Sequence, residues 1–152
     1  MKKVLLTTSL LALSVSCSHN EYANQSTAPV VTRNAVANLV VSTEKKLKGV
    51  VEFTESNGEV SVVTKVDGLA TGAHGFHIHE IGDCSKADFT SAGGHFNPEK
   101  TTHGALHAEA SHAGDLGNLV ADKNMKAYTT IKTHGVTLGE GKNSIIGKAV
   151  II

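Results

Sequence analysis

A chain of 152 residues has the length of one domain with one core. Its 14 basic and 14 acidic residues cancel, which removes the broad positive field that non-specific nucleic-acid binding needs. Apolar residues make up 40% of the chain and Pro occurs only twice, a composition that excludes wholesale disorder.

Met1-Lys2-Lys3 is a basic start, and the apolar stretch Val4 to Val15 follows it. That stretch is shorter than the roughly 20 residues a bilayer requires, so residues 1–16 read as a bacterial export signal rather than a membrane span. Leu13-Ser14-Val15-Ser16-Cys17 is similar to a lipoprotein processing site, which makes Cys17 the expected lipidation position and the mature N-terminus. Removing residues 1–16 takes away Lys2 and Lys3 and leaves 12 basic against 14 acidic residues, a net charge of −2. Residues 17–36 are mainly polar and aperiodic, as suits a flexible tether, with the domain proper at 37–152.

From Ala37 the chain reads as strands. Ala37 to Thr43 and Leu47 to Glu55 are rich in Val, and Asn57-Gly58 separates the second run from Glu59 to Val66, a strong hairpin signal. Gly75 to His79, Gly117 to Ala121, Met125 to Ile131 and Ser144 to Ile152 complete the set. No segment of this body sustains a helical apolar period, so the fold class is all-β. Between the strands, Ile81 to Leu116 is dense in Gly, Ser, Thr, Asp and His; compact domains rarely carry so long an irregular stretch unless something else orders it.

Seven of the nine His lie between His74 and His112. In His77-Ile78-His79 the period-two alternation of a strand puts both imidazoles on one face, about 6–7 Å apart, able to converge on one ion. The loop adds His95, His103 and His112, then Asp115; three imidazoles and a carboxylate form a closed tetrahedral set suited to Zn²⁺.

Gly75-Phe76-His77-Ile78-His79-Glu80, Gly94-His95-Phe96-Asn97-Pro98 and His112-Ala113-Gly114-Asp115-Leu116-Gly117-Asn118, in this order and spacing, resemble the metal-binding segments of the copper/zinc superoxide dismutase family. The signal and Gly82-Asp83-Cys84 are closest to its bacterial exported branch. The resemblance runs from about Ala37 to Ile152 and implies a Greek-key β-barrel or sandwich with long metal-binding loops. It implies copper on His77, His79 and His95, and zinc on His95, His103, His112 and Asp115. By the same resemblance His95 would bridge the two ions and be the catalytic residue that passes a proton to departing peroxide. His74 and Glu80 come out as structural, and His107 and His134 as surface residues matching no ligand position. The implied reaction converts superoxide to O₂ and hydrogen peroxide by alternating copper redox, and would protect the cell envelope. The expected setting is the bacterial periplasm, with a lipid anchor as the membrane contact, no nucleic-acid partner, and room for a homodimer.

The family continues past the position of Ile152 into another copper-binding His, an Arg that guides superoxide, a second Cys and a closing strand. The expectation is therefore a domain incomplete at its C-terminus, lacking the last strand and leaving Cys84 as an unpaired thiol. Two readings follow: an exported dismutase, or a dismutase-like lipoprotein that holds zinc and copper with impaired or no turnover.

Overall fold

The computed structural model describes residues 30–39 and 47–152. Cys17 and the expected export signal lie outside these residues. Seven strands occur among those described: β1 (Thr32–Leu39), β2 (Lys48–Ser56), β3 (Glu59–Asp67), β4 (Gly72–His79), β5 (Asp115–Ala121), β6 (Lys126–Thr133) and β7 (Ala149–Ile151). The one helical element among them is a 3₁₀ turn at Thr90–Ala92. No helix among the described residues is long and apolar enough to cross a membrane.

Strands β1-β2-β3-β6 form one antiparallel sheet and β5-β4-β7 the other. The chain leaves the first sheet after β3, builds β4 and β5 in the second, and returns with β6 to pair beside β3, which is Greek-key connectivity. The expected all-β Greek-key fold is observed.

Local chemistry accounts for most of the elements. Asn57 and Gly58 both hold positive φ, 53° and 77°, as a type I′ hairpin turn requires, and Ser56 pairs with Glu59 across it. Along β2 and β3, Val51, Phe53, Val60, Val62 and Val66 alternate into the core, where Phe76 and Ile78 of β4 and Leu116 and Leu119 of β5 meet them. One charged group sits at the rim of this core. Glu55 is buried, and its carboxylate accepts from Thr137 Oγ1 (2.7 Å), Leu138 N (2.9 Å) and Arg33 Nη1 (3.5 Å). The Thr137 hydrogen bond does most to hold its carboxyl below the usual range. These bonds fasten the loop after β6 to the first sheet.

The largest departures from the expected strand boundaries are at β1 and β7, with shifts of a few residues at β4, β5 and β6. The first strand begins at Thr32 rather than Ala37, because Thr32 to Val36 pair with Ser56 to Glu52 and carry Ala35 onto the core side with Ala37 and Leu39. The last run is strand only over Ala149–Ile151. Gly147 at φ 76° breaks it, and Ile145 turns into the core through its backbone bond to Thr137.

Candidate metal centre

The site grows from the alternation along β4. Phe76 and Ile78 are buried in the core, so His77 and His79 stand on the opposite face. The strand is central, paired with β5 on one side and β7 on the other, which fixes its backbone. The long loop after β4 comes back along it. Phe96 N bonds to Ile78 O (2.8 Å), Gly114 N to Phe96 O (2.9 Å) and Ile78 N to Gly114 O (2.9 Å). Phe96 is itself buried in the core; burying such a side chain is worth about 1.5–3 kcal/mol. This anchor leaves His95 bridged to His79 on the outer face.

A bulge brings in Asp115. Gly75 pairs with Asn118, and an unbroken ladder would then place Leu116 opposite His77, but His77 pairs with Asp115. The extra residue is accommodated at Gly117, whose φ of 83° favours glycine. The bulge reverses the facing of what precedes it, so that Leu116 enters the core while Asp115 turns to the histidines.

The Asp115 carboxylate is 2% exposed and accepts from the amides of Gly104 (3.0 Å) and His112 (2.9 Å). The Nδ1 atoms of His95, His103 and His112 lie 2.8, 3.0 and 3.4 Å from it. Burial pushes this carboxyl up, but the two amides, the His95 hydrogen bond and the His112 charge outweigh it and bring it down to about 2. It is therefore an anion throughout the physiological range.

Two donor groups result: His95, His103, His112 and Asp115, and His77, His79 and His95, each with ligand atoms within 4.8 Å of one another. His95 belongs to both. Its ring stacks on His77 at 3.9 Å between centroids and stands edge-on to His79 at 5.1 Å. His79 Nδ1–H donates to Gly93 O (2.9 Å), leaving Nε2 as its ligand atom. His77 is held down to about 4, chiefly by burial and then by the charge of His95, with Asp115 pulling the other way. It is thus neutral and ready to ligate at neutral pH.

The donor sets fit metal ions. The buried His112 Nδ1 has no hydrogen-bond partner, although it points toward a carboxylate oxygen already crowded by two other imidazoles. An orphaned nitrogen in an N₃O set converging on one point is the signature of a zinc-type cation site. The three-imidazole group suits a copper-type ion.

Every ligand position expected from the sequence is thus brought into one of the two groups. Of the others, His74 Nε2 donates to Ala70 O (2.6 Å), which is a structural role. The Glu80 backbone pairs with Gly94 and its carbonyl accepts from Lys148 Nζ. Cys84 is exposed, without a disulfide partner among the described residues. His107 and His134 are exposed and belong to neither ligand group, but they lie against each other. Three contributors escaped the sequence reading: the Gly104 amide, Gly117 and Gly75. A Cβ on Gly75 would fall 2.6 Å from His77 Cε1, so this glycine makes room for the ring. Glycine two residues before a same-face His pair was the available signal.

A family model described as copper/zinc superoxide dismutase matches residues 47–152. The chain is 40% identical over 106 residues to "Superoxide dismutase [Cu-Zn] 5" of Dictyostelium discoideum, covering 68% of each chain. Among solved structures it is similar to the "clock protein EA4", at 39% identity and a TM-score of 0.71, over 78% of this chain and 73% of that one.

Two outcomes follow from the geometry. In Gly75→Ala the flexible His77 ring, rather than backbone, must move. The protein should fold with its His95–Asp115 group intact and lose about tenfold or more in copper affinity, read by competition with a chelator; unchanged affinity would remove the positioning role of Gly75.

The second outcome concerns the metal-free protein. His77 falls from an ordinary 6.5 to about 4, so its stabilising contribution is complete above 6.5 and is lost as pH falls toward 4. Asp115 falls from 3.8 to about 2, so its contribution is lost across that lower window. The urea midpoint should therefore decline in two stages on acidification, and His77→Asn should flatten the upper one. A midpoint constant across the upper window in the unaltered protein would contradict the burial of His77.

Proposed function

Because the chain belongs to the copper/zinc superoxide dismutase family, we propose that it removes extracytoplasmic superoxide, converting it to O₂ and hydrogen peroxide at the paired donor groups joined by His95. The family is an oxidoreductase family that acts on superoxide and binds copper and zinc, and this chain is read as such an enzyme. The observation that carries the finer reading is the sharing of His95 between an N₃O group and a three-imidazole group.

In this reading His77, His79 and His95 hold copper, and His95, His103, His112 and Asp115 hold zinc. Copper, when bound, supplies the one-electron redox change, whereas zinc, having no accessible redox step, supplies charge and order. The chain's own residues do the rest. Asp115 and the Gly104 and His112 amides hold His95 Nδ1 in place on one side. Gly93 O fixes the tautomer of His79. His95 Nε2, on the side of the ring turned away from Asp115, would carry the proton: it can be protonated only while that nitrogen is not ligating copper, and would give the proton to the leaving peroxide as it becomes a ligand again. The half-buried setting of His77 keeps that ring neutral, so it does not compete for this proton.

The test separates the metals. His79→Ala should lose copper and keep zinc by elemental analysis, and lose dismutation by at least about a hundredfold. His112→Ala should lose zinc first. Full metal loading of the unaltered protein without superoxide decay per bound copper would defeat the enzymatic reading and leave a metal-binding protein.

We also place the protein in the bacterial cell envelope, lipid-anchored through Cys17. The support is sequence alone: the basic start, the apolar run to Val15 and the small residues before Cys17. A single acyl chain anchors only marginally, so multiple acylation is expected there. Labelling with a fatty acid in cells should mark the protein and miss Cys17→Ser. Equal labelling of both would remove the anchor.

A further inference from the structure

Outside the two ligand groups, two imidazoles that are far apart in sequence meet on the surface. His107 comes from the long loop between β4 and β5, and His134 follows the last residue of β6. Their ring centroids are 6.5 Å apart with 51° between planes. The His77–His79 pair, within the three-imidazole group, has the same 6.5 Å separation at 64°. Both His107 and His134 are exposed, so their rings can rotate to bring one nitrogen each to the roughly 2.0–2.1 Å that imidazole–metal bonds require.

The backbone holds the pair in place. His107 adopts φ 65°, a left-handed conformation that costs a non-glycine residue free energy. It does so inside a turn closed by Ala108 N bonding to Ala105 O (2.9 Å). His134 is carried by the segment that Glu55 fastens at Thr137 and Leu138. A carboxylate stands next to it, with Glu59 Oε2 3.8 Å from His134 Nε2. Lys132 engages the other oxygen of Glu59 at 2.7 Å.

The location is specific as well. Both rings line one cavity of about 350 Å³ whose other walls include Thr101 and Ser111, and which reaches inward to His112 and the buried Asp115. Exposed residues line its outer part and buried ones its inner end.

We propose that His107 and His134 form a third metal site, taking one divalent cation that favours imidazole at the outer end of the cavity that leads to the His112–Asp115 group. Among first-row ions such a two-nitrogen site ranks Cu²⁺ highest, with Zn²⁺ weaker. The ion it holds is solvent-facing and exchangeable, whereas the group at the inner end of the cavity is built on the buried Asp115. The site depends on neither metal assignment made above, since it shares no ligand with them.

The probe is Cu²⁺ alone, added by equilibrium dialysis to the full chain after copper and zinc have been loaded and excess metal removed. The unaltered protein should take up one additional Cu²⁺ with the electron-spin-resonance signature of imidazole nitrogen ligands. His107→Ala and His134→Ala should each bind that additional ion at least about tenfold more weakly. Both positions are exposed, so the variants should fold, and unchanged loading of the two ligand groups described above provides the control. No additional ion in the unaltered protein would overturn the proposal. So would uptake by both variants equal to that of the unaltered protein, or a loss confined to one of them.

Discussion

The buried Asp115 carboxylate is the constraint on which the site depends. It is an anion in a nearly water-free position, and such a group is tolerated only when several donors converge on it. Two of those donors are backbone amides, from Gly104 and His112, and they stitch separate parts of the long loop to the start of β5. Two more are the imidazoles of His95 and His103, and the His112 ring, without a hydrogen bond of its own, stands within 3.4 Å. Burial and hydrogen bonding therefore act together: the same contacts that keep Asp115 charged bring three further ligands to the point where a cation would neutralise it. The loop is ordered in part by this one charge.

That arrangement rests on a single extra residue in β5. The bulge at Gly117 lets Leu116 and Leu119 both face the core although three positions separate them, and it releases Asp115 to the opposite side. A sheet without the bulge would bury the carboxylate among Val and Phe side chains or expose Leu116. The hydrophobic core and the polar site are thus satisfied by one local distortion, which explains why a bulge sits beside the site rather than at a distant edge.

His95 links the halves. Backbone pairing to β4, secured by the buried ring of Phe96, sets it beside His79, while its Nδ1 turns to Asp115. Neither neighbour could hold it alone: the strand bridge fixes its height along β4, and the carboxylate fixes the orientation of its ring. The geometry of each donor group is consequently coupled to the other, so that a disturbance of the loop reaches the three-imidazole group through a shared side chain.

Much of this was legible in the residues. Strand alternation, the Asn57-Gly58 hairpin and the His-x-His pair depend on neighbours one to three positions away, and local periodicity determines them. The ligand types follow from the chemistry of imidazole and carboxylate at positions His77 to Asp115, with the family resemblance supplying the partition into two sets. What only the tertiary structure decided involves residues distant in the chain. The start of β1 at Thr32 is set by pairing with β2. The facing of Asp115 is set by a bulge that only register against β4 reveals. The need for Gly75 comes from a folded-back imidazole ring, and the meeting of His107 with His134 from two loops that are separate until the sheets close. Period and residue type are properties of a few adjacent residues, whereas register, free space and surface proximity exist only once distant segments pack.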